Sequence, residues 1–288
     1  MPHSSLATPS ATLAVLKRHG LATKKSLGQH FLVDDNVVGR IMALAAVSPD
    51  DVVLEVGPGI GTLTVALCPA AGALVAVERD PDLLPVLAET TAACRSLAIL
   101  RSDALDVTAE ELAAPFGPPA ALVANLPYQV AATVVLRFFQ ELPTLRSATV
   151  MVQAEVADRM AAEPGGKDYG AYTVKLRLLA RPAGRFRVPP GVFLPPPRVD
   201  SAVLRLERRS RPEPPGLLAL AAEVASAGFA QRRKTLRNSL LAAGPWDRTD
   251  VDRALDSTGI DGSRRAETLS VDEFITLAAG IRQQRRLP

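Results

Sequence analysis

The sequence predicts an α/β domain built on a mostly parallel sheet, followed by a smaller domain made of helices alone. Two observations support this fold class. Between Asp51 and Ala154, short β-branched or apolar runs alternate with longer helical patterns, which is typical of consecutive β-α-β units. After Gly216 the chain shows only helical periodicity. The 288 residues are enough for one full core and a smaller companion, because single cores stop growing near about 250 to 300 residues.

Five buried strands are expected in the first domain, with bounds that follow the apolar runs. They are Val52–Val56, Ala73–Glu78, Leu97–Arg101, Ala120–Asn125 and Ser147–Val152. Asp80 before Pro81 fits an N-cap followed by a first-turn proline. Thr108 and Glu111 have the spacing of a capping box. A further helix is expected near Glu155–Ala162.

The following segment predicts antiparallel closure of the sheet and then a linker. Phe186–Glu207 is rich in proline and β-branched residues, and Ser201–Leu206 alternates as a strand does. Arg208–Gly216, RRSRPEPPG, combines like charges with three prolines, which oppose regular structure. We therefore expect one domain over residues 1–208 and a helical domain over residues 209–288.

Composition argues against several classes of protein. Hydrophobic residues make up 48% of the chain, yet no run approaches the roughly 18 apolar residues of a membrane span. Met1–Gly20 lacks the apolar core and cleavage site of a secretory signal, so a cytoplasmic location is expected. Cys68 and Cys94 are not in a C-x-x-C arrangement, and three histidines cannot complete a zinc cluster with them. We therefore expect neither a disulfide nor a bound metal.

A glycine-rich turn follows the first predicted strand. Gly57, Gly59 and Gly61 alternate with other residues before a helix begins near Thr62, so a ligand can approach the backbone closely. The spacing is G-x-G-x-G, and Thr62 stands where a dinucleotide fingerprint would place its third glycine. This departure argues against a nicotinamide cofactor.

Two carboxylates follow the next two strands. Glu78 ends the second strand, where a carboxylate can accept hydrogen bonds from both hydroxyls of a ribose. Asp103 follows the third strand, where it can accept a hydrogen bond from the exocyclic amine of an adenine. Each feature alone is common, and a strand-end carboxylate is usually a solvated loop residue. Together they lie at the carboxyl ends of successive strands, and they resemble the S-adenosylmethionine pocket of Rossmann-like class I methyltransferases.

The fourth strand delivers Asn125, Leu126, Pro127 and Tyr128 to the same rim. Adenine N6 is a poor nucleophile because its lone pair is delocalised into the ring. The Asn125 side-chain oxygen and the Leu126 carbonyl can accept its two N–H bonds, while Tyr128 offers a ring for stacking. Asn and Pro also form ordinary turns, but this turn falls where the methyl group of the cofactor should emerge. Pro127 stiffens it, and no covalent residue is needed.

The chain resembles the KsgA/RsmA family of small-subunit ribosomal RNA adenine N6,N6-dimethyltransferases from Lys24 to Leu277. The resemblance rests on ordered segments, which are Lys25–Leu32, Glu55–Gly61, Glu78, Asp103, Asn125–Tyr128, Phe193–Ser201 and Phe229–Asn238. It implies that S-adenosylmethionine is the methyl donor and that no metal takes part.

The same resemblance implies individual roles. His30 and Leu32 would close over the cofactor, and the glycine turn with Glu78 and Asp103 would bind it. Asn125 would bridge cofactor and target base, and Phe193 would stack on the face of the base opposite Tyr128. The family often has Asn at the positions of His30 and Gln129, so cofactor closure and base entry can differ in detail.

The implied substrate is a pair of adjacent adenines in the 3′-terminal hairpin loop of 16S rRNA, within a 30S subunit or its precursor. Such loops present unstacked bases. The chain is expected to act as a monomer, and its basic segment is expected to contact rRNA phosphates through Arg232, Arg233, Lys234 and Arg237. A solvated helix face is the alternative for this segment.

Three other functions remain open from the sequence. An erythromycin-resistance type of 23S rRNA dimethyltransferase shares the Asn-x-Pro-Tyr motif, but segment 231–238 favours the small-subunit family. A non-catalytic RNA-binding assembly factor would not need Glu78, Asp103 and Asn125. A DNA adenine methyltransferase usually has Asp at the position of Asn125.

Overall fold

The computed structural model describes residues 3–22, 29–210 and 213–285. Part of the resemblance, Lys25–Gly28, and part of the expected linker, Arg211 and Pro212, lie outside these residues. Contacts divide the chain into one unit of residues 1–157 with 182–208 and a second unit of residues 158–181 with 209–288. The sequence suggested a single break at residue 208, whereas the structure places 158–181 in the helical unit. Tyr169, Val174 and Leu178 of this segment belong to the same hydrophobic cluster as the C-terminal helices.

The first unit contains a seven-stranded sheet in the order β4-β3-β2-β5-β6-β9-β7. These strands are β2 Val52–Val56, β3 Ala73–Glu78, β4 Leu97–Arg101, β5 Ala121–Asn125, β6 Ser147–Gln153, β7 Ala180–Val188 and β9 Ser201–Arg208. Strands β2 to β6 run parallel, and β9 pairs antiparallel with β6, Met151 opposite Val203. The five predicted strands and the antiparallel closure are confirmed to within one or two residues. The remaining pair, β1 Phe31–Leu32 and β8 Phe193–Leu194, forms a separate two-stranded ribbon.

Helices α1 Pro9–Arg18 and α2 Asp35–Ala45 precede the parallel strands along the chain. The helices that connect those strands are α3 Thr62–Leu67, α4 Leu84–Thr90, α5 Ala109–Ala113 and α6 Ala131–Glu141. The predicted capping box is present: the Thr108 N–H donates to Glu111 Oε2 at 2.8 Å and the Glu111 N–H donates to Thr108 Oγ1 at 3.2 Å. Asp80 caps a short 3₁₀ turn, Pro81–Leu83, that leads into α4. Strands β2, β3, β5 and β6 are almost wholly buried, as expected for a parallel sheet covered on both faces.

The second unit is helical. Its helices are α8 Ala171–Leu179, α9 Leu217–Phe229, α10 Leu236–Ala243, α11 Arg248–Thr258 and α12 Val271–Arg285, while α7 Ala154–Ala161 leads into it. Trp246 and Phe274 are buried in its core. Gly259 adopts φ +66° after α11, a left-handed helix end that favours glycine. In the described ranges, no helix is long and apolar enough to cross a membrane.

The expectation of no disulfide is wrong, because Cys68 and Cys94 are bonded to each other. Cys68 caps the end of α3, and Cys94 lies in the turn after α4. The fold brings their Cα atoms to 5.7 Å, within the usual range for a disulfide. Spacing along the chain could not show this, since the two residues are 26 positions apart.

Removing this disulfide is expected to lower the free energy of unfolding by about 3 kcal/mol, because the bond closes a loop that restricts the unfolded chain. The double variant Cys68→Ser, Cys94→Ser should show this loss in urea unfolding under oxidising conditions. Adding dithiothreitol should bring the wild-type protein to the stability of the variant. Equal stability of the two proteins without reductant would contradict the prediction.

Candidate active site

The glycine turn after β2 has the backbone conformation that the sequence requires. The φ values of Gly57, Gly59 and Gly61 are +66°, +62° and +91°, which lie in a region that residues other than glycine rarely adopt. At Gly59, a Cβ atom would lie 3.2 Å from the ring of Phe31. The Gly57 N–H donates to the Val77 carbonyl at 2.9 Å, which fixes the turn against β3. The turn therefore presents bare backbone to the adjoining cleft.

Glu78 lies at the end of β3 and is 6% exposed. Its carboxylate accepts hydrogen bonds from the N–H of Asp80 at 2.8 Å and from the N–H of Gly59 at 3.2 Å. Burial raises the pKa of Glu78, and these two N–H groups act against the rise by stabilising the charged form. The carboxylate thus couples the glycine turn to the neighbouring strand end.

Asp103 follows β4 and is more exposed than Glu78. It accepts a hydrogen bond from the Leu105 N–H at 2.9 Å and forms an ion pair with Arg79 at 2.8 Å. These two donors hold the pKa of Asp103 below its usual value. A carboxylate offers about four lone-pair positions, so capacity remains for another donor.

The motif after β5 is held from both sides. The Leu126 N–H donates to the Met151 carbonyl at 3.1 Å, and the Asn125 Nδ2 donates to the His30 carbonyl at 3.2 Å. Asn125 therefore uses one of its two N–H donors within the protein, and its side-chain oxygen is left as an acceptor. Among the described residues, no group donates to the Leu126 carbonyl. Two acceptors are thus available side by side.

Tyr128 is half-buried, and its hydroxyl bonds with Ser201 Oγ at 2.6 Å. Burial raises the pKa of Tyr128, and the Ser201 hydrogen bond partly offsets that rise. Its ring lies 5.7 Å from the His30 ring with 23° between the planes. The hydroxyl is anchored away from the chemistry, so the ring is the part of Tyr128 that faces the cleft.

The segment around His30 is held over the same cleft. The His30 Nδ1 lies 2.8 Å from the Pro195 carbonyl, which can only accept, so Nδ1 carries the proton. This bond ties the His30 ring to the segment that follows β8. Leu32 is buried and pairs with Phe193 in the β1–β8 ribbon.

The structure brings most of the predicted site residues to one cleft with about 1170 Å³ of empty space, including its open mouth. We call it the rim cleft, and its predicted members are His30, Leu32, Gly57, Gly59, Glu78, Asp103, Asn125, Leu126, Pro127 and Tyr128. Gly61 does not line it and is the N-cap of α3. Phe193 does not line it, because its ring is 3% exposed and packs in the hydrophobic cluster with Leu32.

Sequence reasoning missed the role of one residue in this cleft. Glu55 lies inside β2, is 2% exposed and lines the rim cleft. Burial, together with the nearby charge of Glu78, raises its pKa to about 8. Its Oε2 has no hydrogen-bond partner in the part of the chain that the structure describes. The sequence feature that could have identified it is a single carboxylate in an otherwise apolar strand, because a buried carboxylate is costly unless a polar group binds it.

Most of the basic segment lies in the turn between α9 and α10 of the helical unit, and only its last member, Arg237, lies on a helix, in the first turn of α10. Arg232, Arg233 and Lys234 are exposed and form no ion pair within the described ranges. Arg237 differs, because its guanidinium makes two bonds of 2.6 Å to the carboxylate of Asp252. The described residues contain no group of three or more His, Cys, Asp or Glu side chains that could hold a metal.

Comparisons with known proteins agree with this geometry. A family model described as "Ribosomal RNA adenine dimethylase" matches residues 20–283. A protein of Geobacillus thermodenitrificans named "Ribosomal RNA small subunit methyltransferase A" is 43% identical, covering 96% of this chain and 97% of the relative. A protein of the same name from Magnetococcus marinus is 44% identical over 92% of this chain and 94% of its own length.

Two solved structures share the fold. A dimethyladenosine transferase from Plasmodium falciparum superimposes with a TM-score of 0.75 at 21% identity, over 89% of this chain and 98% of the other. The 23S rRNA methyltransferase ErmE gives a TM-score of 0.67 at 28% identity, over 88% of this chain and 100% of its own.

The fold and the rim cleft together define a class I, S-adenosylmethionine-dependent methyltransferase. The family match covers nearly the whole chain and agrees with the resemblance to the KsgA/RsmA proteins. The chain belongs to the ribosomal RNA adenine dimethylase family and is an rRNA adenine dimethyltransferase. An enzymatic role on RNA is therefore favoured over both the assembly factor and the DNA methyltransferase.

Proposed function

We propose that the protein dimethylates N6 of two adjacent adenines in the 3′-terminal hairpin loop of 16S rRNA, in the 30S subunit or its precursor. We further propose that it acts as a monomer in the cytoplasm, during small-subunit biogenesis. The observation that carries the chemistry is the pair of acceptors, Asn125 Oδ1 and the Leu126 carbonyl, on two adjacent residues that line the rim cleft. The relatives named for the small subunit support the choice of substrate.

The residues of the rim cleft fit S-adenosylmethionine. The turn at Gly57 and Gly59 leaves room for close approach to the backbone, Glu78 can accept from ribose hydroxyls, and Asp103 can accept from the adenine amine. The buried oxygen of Glu55 offers a further acceptor to the positively charged part of the ligand. When bound, S-adenosylmethionine supplies an electrophilic methyl group. His30 and Leu32 cover the cleft, and the proposed mechanism uses no metal.

The protein activates adenine mainly by holding it. In the first transfer, Asn125 Oδ1 and the Leu126 carbonyl accept the two N–H bonds of N6, and in the second transfer they hold the one N–H that remains. In both, the nitrogen lone pair points toward the methyl group, and N6 releases one proton to solvent once the N–C bond has formed. Positioning two reactants in line can supply about 7 to 11 kcal/mol of the barrier. Pro127 keeps both acceptors in one orientation because its ring fixes the backbone. Neither a covalent residue nor a strong base is required.

Tyr128 is proposed to stack on the target base. Tyr128→Ala should reduce kcat/KM for 30S subunits by about 10- to 100-fold, because base-aromatic stacking contributes about 1 to 3 kcal/mol. Tyr128→Phe keeps the ring and loses only the Ser201 hydrogen bond, so it should retain most of the activity. Comparable losses in both variants, measured in a radiolabelled methyl assay, would argue against stacking. The second stacking contact, from Phe193, stays a prediction and requires that ring to leave its buried position.

The substrate can be tested directly with purified ribosomal particles. Unmethylated 30S and 50S subunits are incubated with the protein and S-adenosylmethionine, and primer extension maps the modified adenines. The proposal expects two dimethylated adenines in the 3′-terminal 16S hairpin. The likeness to ErmE makes 23S rRNA the alternative. Methylation of only 50S subunits or free 23S rRNA would overturn the proposal in favour of that alternative.

A further inference from the structure

Arg137 is a partly buried cation of the first unit that does not line the rim cleft and that the proposed chemistry does not use. It lies on α6, and its side chain is 18% exposed. Its Nη1 donates to the Ala104 carbonyl at 2.8 Å, and its Nη2 donates to the Val107 carbonyl at 2.7 Å. Its Nε donates to Glu141 Oε2, one turn along the same helix, at 2.9 Å. All three nitrogens of the guanidinium therefore have an acceptor.

The two carbonyls that Arg137 bonds belong to one turn, residues 103–107, which we call the Asp103 turn. The Asp103 carbonyl closes this turn by accepting from the Val107 N–H at 3.0 Å. Within the turn, the Asp103 carboxylate accepts from the Leu105 N–H at 2.9 Å. The carboxylate lines the rim cleft, whereas the guanidinium does not. Arg137 can therefore act on the cleft only through the turn.

A guanidinium suits this position because its donors are fixed in one plane. Nη1 and Nη2 of Arg137 cannot move independently, so their two bonds set the positions of the Ala104 and Val107 carbonyls together. A lysine ammonium lacks this planar pair of donors. Glu141 is 48% exposed, so its ion pair contributes little to stability and mainly orients the guanidinium plane. The two carbonyl bonds are thus the contacts through which Arg137 holds the turn.

The helix that carries Arg137 begins at the motif after β5. The N–H groups of Val130 and Ala131 donate to the Pro127 carbonyl at 3.2 Å and 3.1 Å. Arg137 lies about two turns further along α6. One helix therefore contacts both the motif proposed to hold the target base and the turn proposed to hold the base of the cofactor.

The other cation beside the Asp103 turn acts differently. Arg79 pairs with the Asp103 carboxylate at 2.8 Å, but its side chain is 56% exposed. Ion pairs of this kind contribute little to stability and are screened by salt. Arg137 bonds to backbone carbonyls and is largely shielded from water. Of the two cations, Arg137 is the one placed to fix the conformation of the turn.

We propose that Arg137 is a positioning residue for the cofactor, which fixes the Asp103 turn so that the Asp103 carboxylate points at the exocyclic amine of the cofactor's adenine. This inference rests on the proposed function, because that function assigns the adenine amine to Asp103. It adds a residue that determines how strongly the site prefers adenine to a purine without the amine. Loss of the two carbonyl bonds lowers this preference and leaves the methyl-transfer chemistry intact.

The test compares two ligands by calorimetry with the full-length protein. One is S-adenosylhomocysteine, and the other is its analogue with purine in place of adenine, which lacks only the exocyclic amine. The wild type should bind S-adenosylhomocysteine at least about 10-fold more tightly, because hydrogen bonds to charged groups are among the strong ones. Arg137→Ala should weaken S-adenosylhomocysteine by about 10-fold and leave the purine analogue nearly unchanged. Arg137→Lys keeps the charge without the planar pair of donors and should fall between the two proteins.

Two control variants and one kinetic readout accompany this comparison. Arg95→Ala removes an exposed arginine of the same unit outside the rim cleft, and it should keep the wild-type preference. Asp103→Ala removes the proposed acceptor and should show the full loss. In steady-state methylation of 30S subunits, Arg137→Ala should raise KM for S-adenosylmethionine by about 10-fold and leave kcat at saturating cofactor unchanged. A merely structural role would weaken both ligands equally and lower kcat.

The outcomes separate this proposal from the proposed function. Equal affinity of the wild type for both ligands would overturn the adenine contact of Asp103 and the role of Arg137 with it. If Asp103→Ala loses the preference while Arg137→Ala keeps it, or weakens both ligands equally, only the role of Arg137 is overturned. Should Arg137→Ala fail to fold, a wild-type preference in Arg137→Lys would overturn that role as well. Wild-type protein that methylates no 30S subunit would overturn the proposed substrate, and the ligand comparison would still decide the role of Arg137.

Discussion

Replacing Asn125 with alanine is expected to reduce kcat for methyl transfer by at least about 100-fold, because a misplaced reactant alone can cost that much. The variant removes Oδ1, one of the two acceptors that hold the adenine amine. It also removes the donor to the His30 carbonyl, which holds the covering segment over the rim cleft. Binding to 30S subunits should persist, since the basic residues of the helical unit are untouched.

Two further variants separate these effects. Asn125→Asp keeps an acceptor oxygen but loses the donor to His30, so it should retain more activity than alanine if the acceptor matters most. Asn36→Ala, an exposed asparagine at the start of α2, is the matched control and should behave as wild type. A radiolabelled methyl assay gives kcat, and calorimetry with S-adenosylhomocysteine gives the cofactor affinity. An Asn125→Ala enzyme with unchanged kcat would refute the role assigned to this side chain.

The part of the site that could be predicted from the sequence is the part built by buried parallel strands. Such strands are short, apolar and similar in length, so their ends were located to within one or two residues, and those ends meet at one rim by topology. The sequence therefore predicts that Gly57, Glu78, Asp103 and Asn125 lie close together, and all four line the rim cleft. The glycine turn could be predicted because backbone positions with positive φ values favour glycine, so the conformation is visible in the sequence itself.

Features that depend on distant pairs could not be predicted in this way. The ribbon of β1 and β8 has two residues per strand and joins positions more than 160 apart, so no periodicity marks it. The disulfide and the bidentate ion pair of Arg237 with Asp252 could not be predicted for the same reason, since each joins residues that only the folded chain brings together. The position of segment 158–181 after the last parallel strand predicts that it belongs to the first unit, whereas its apolar side chains pack in the core of the helical unit.

Glu55 is a carboxylate inside an otherwise apolar, buried strand, and its burial predicts a large dependence of protein stability on pH. In the folded protein its pKa is raised to about 8, from an ordinary value of 4.5. Between these two values the folded state holds a proton that the unfolded state has released. This stabilising contribution is fully present below pH 4.5 and is lost as the pH rises through about 8. The wild type should therefore lose stability as the pH rises, by about 1.4 kcal/mol per pH unit from this group.

Glu55→Gln removes the proton linkage and keeps the size of the side chain. Between pH 5 and pH 8 the variant should gain about 3 kcal/mol in unfolding free energy relative to the wild type. Glu78 is also buried and shifted in the same direction, but it is present in both proteins and largely cancels in the difference. Urea unfolding at several pH values measures that difference, and Glu110→Gln on α5 controls for loss of one surface carboxylate. A constant difference across this range would mean that Glu55 is ionised throughout in the folded protein, which would require a cationic partner inside the rim cleft.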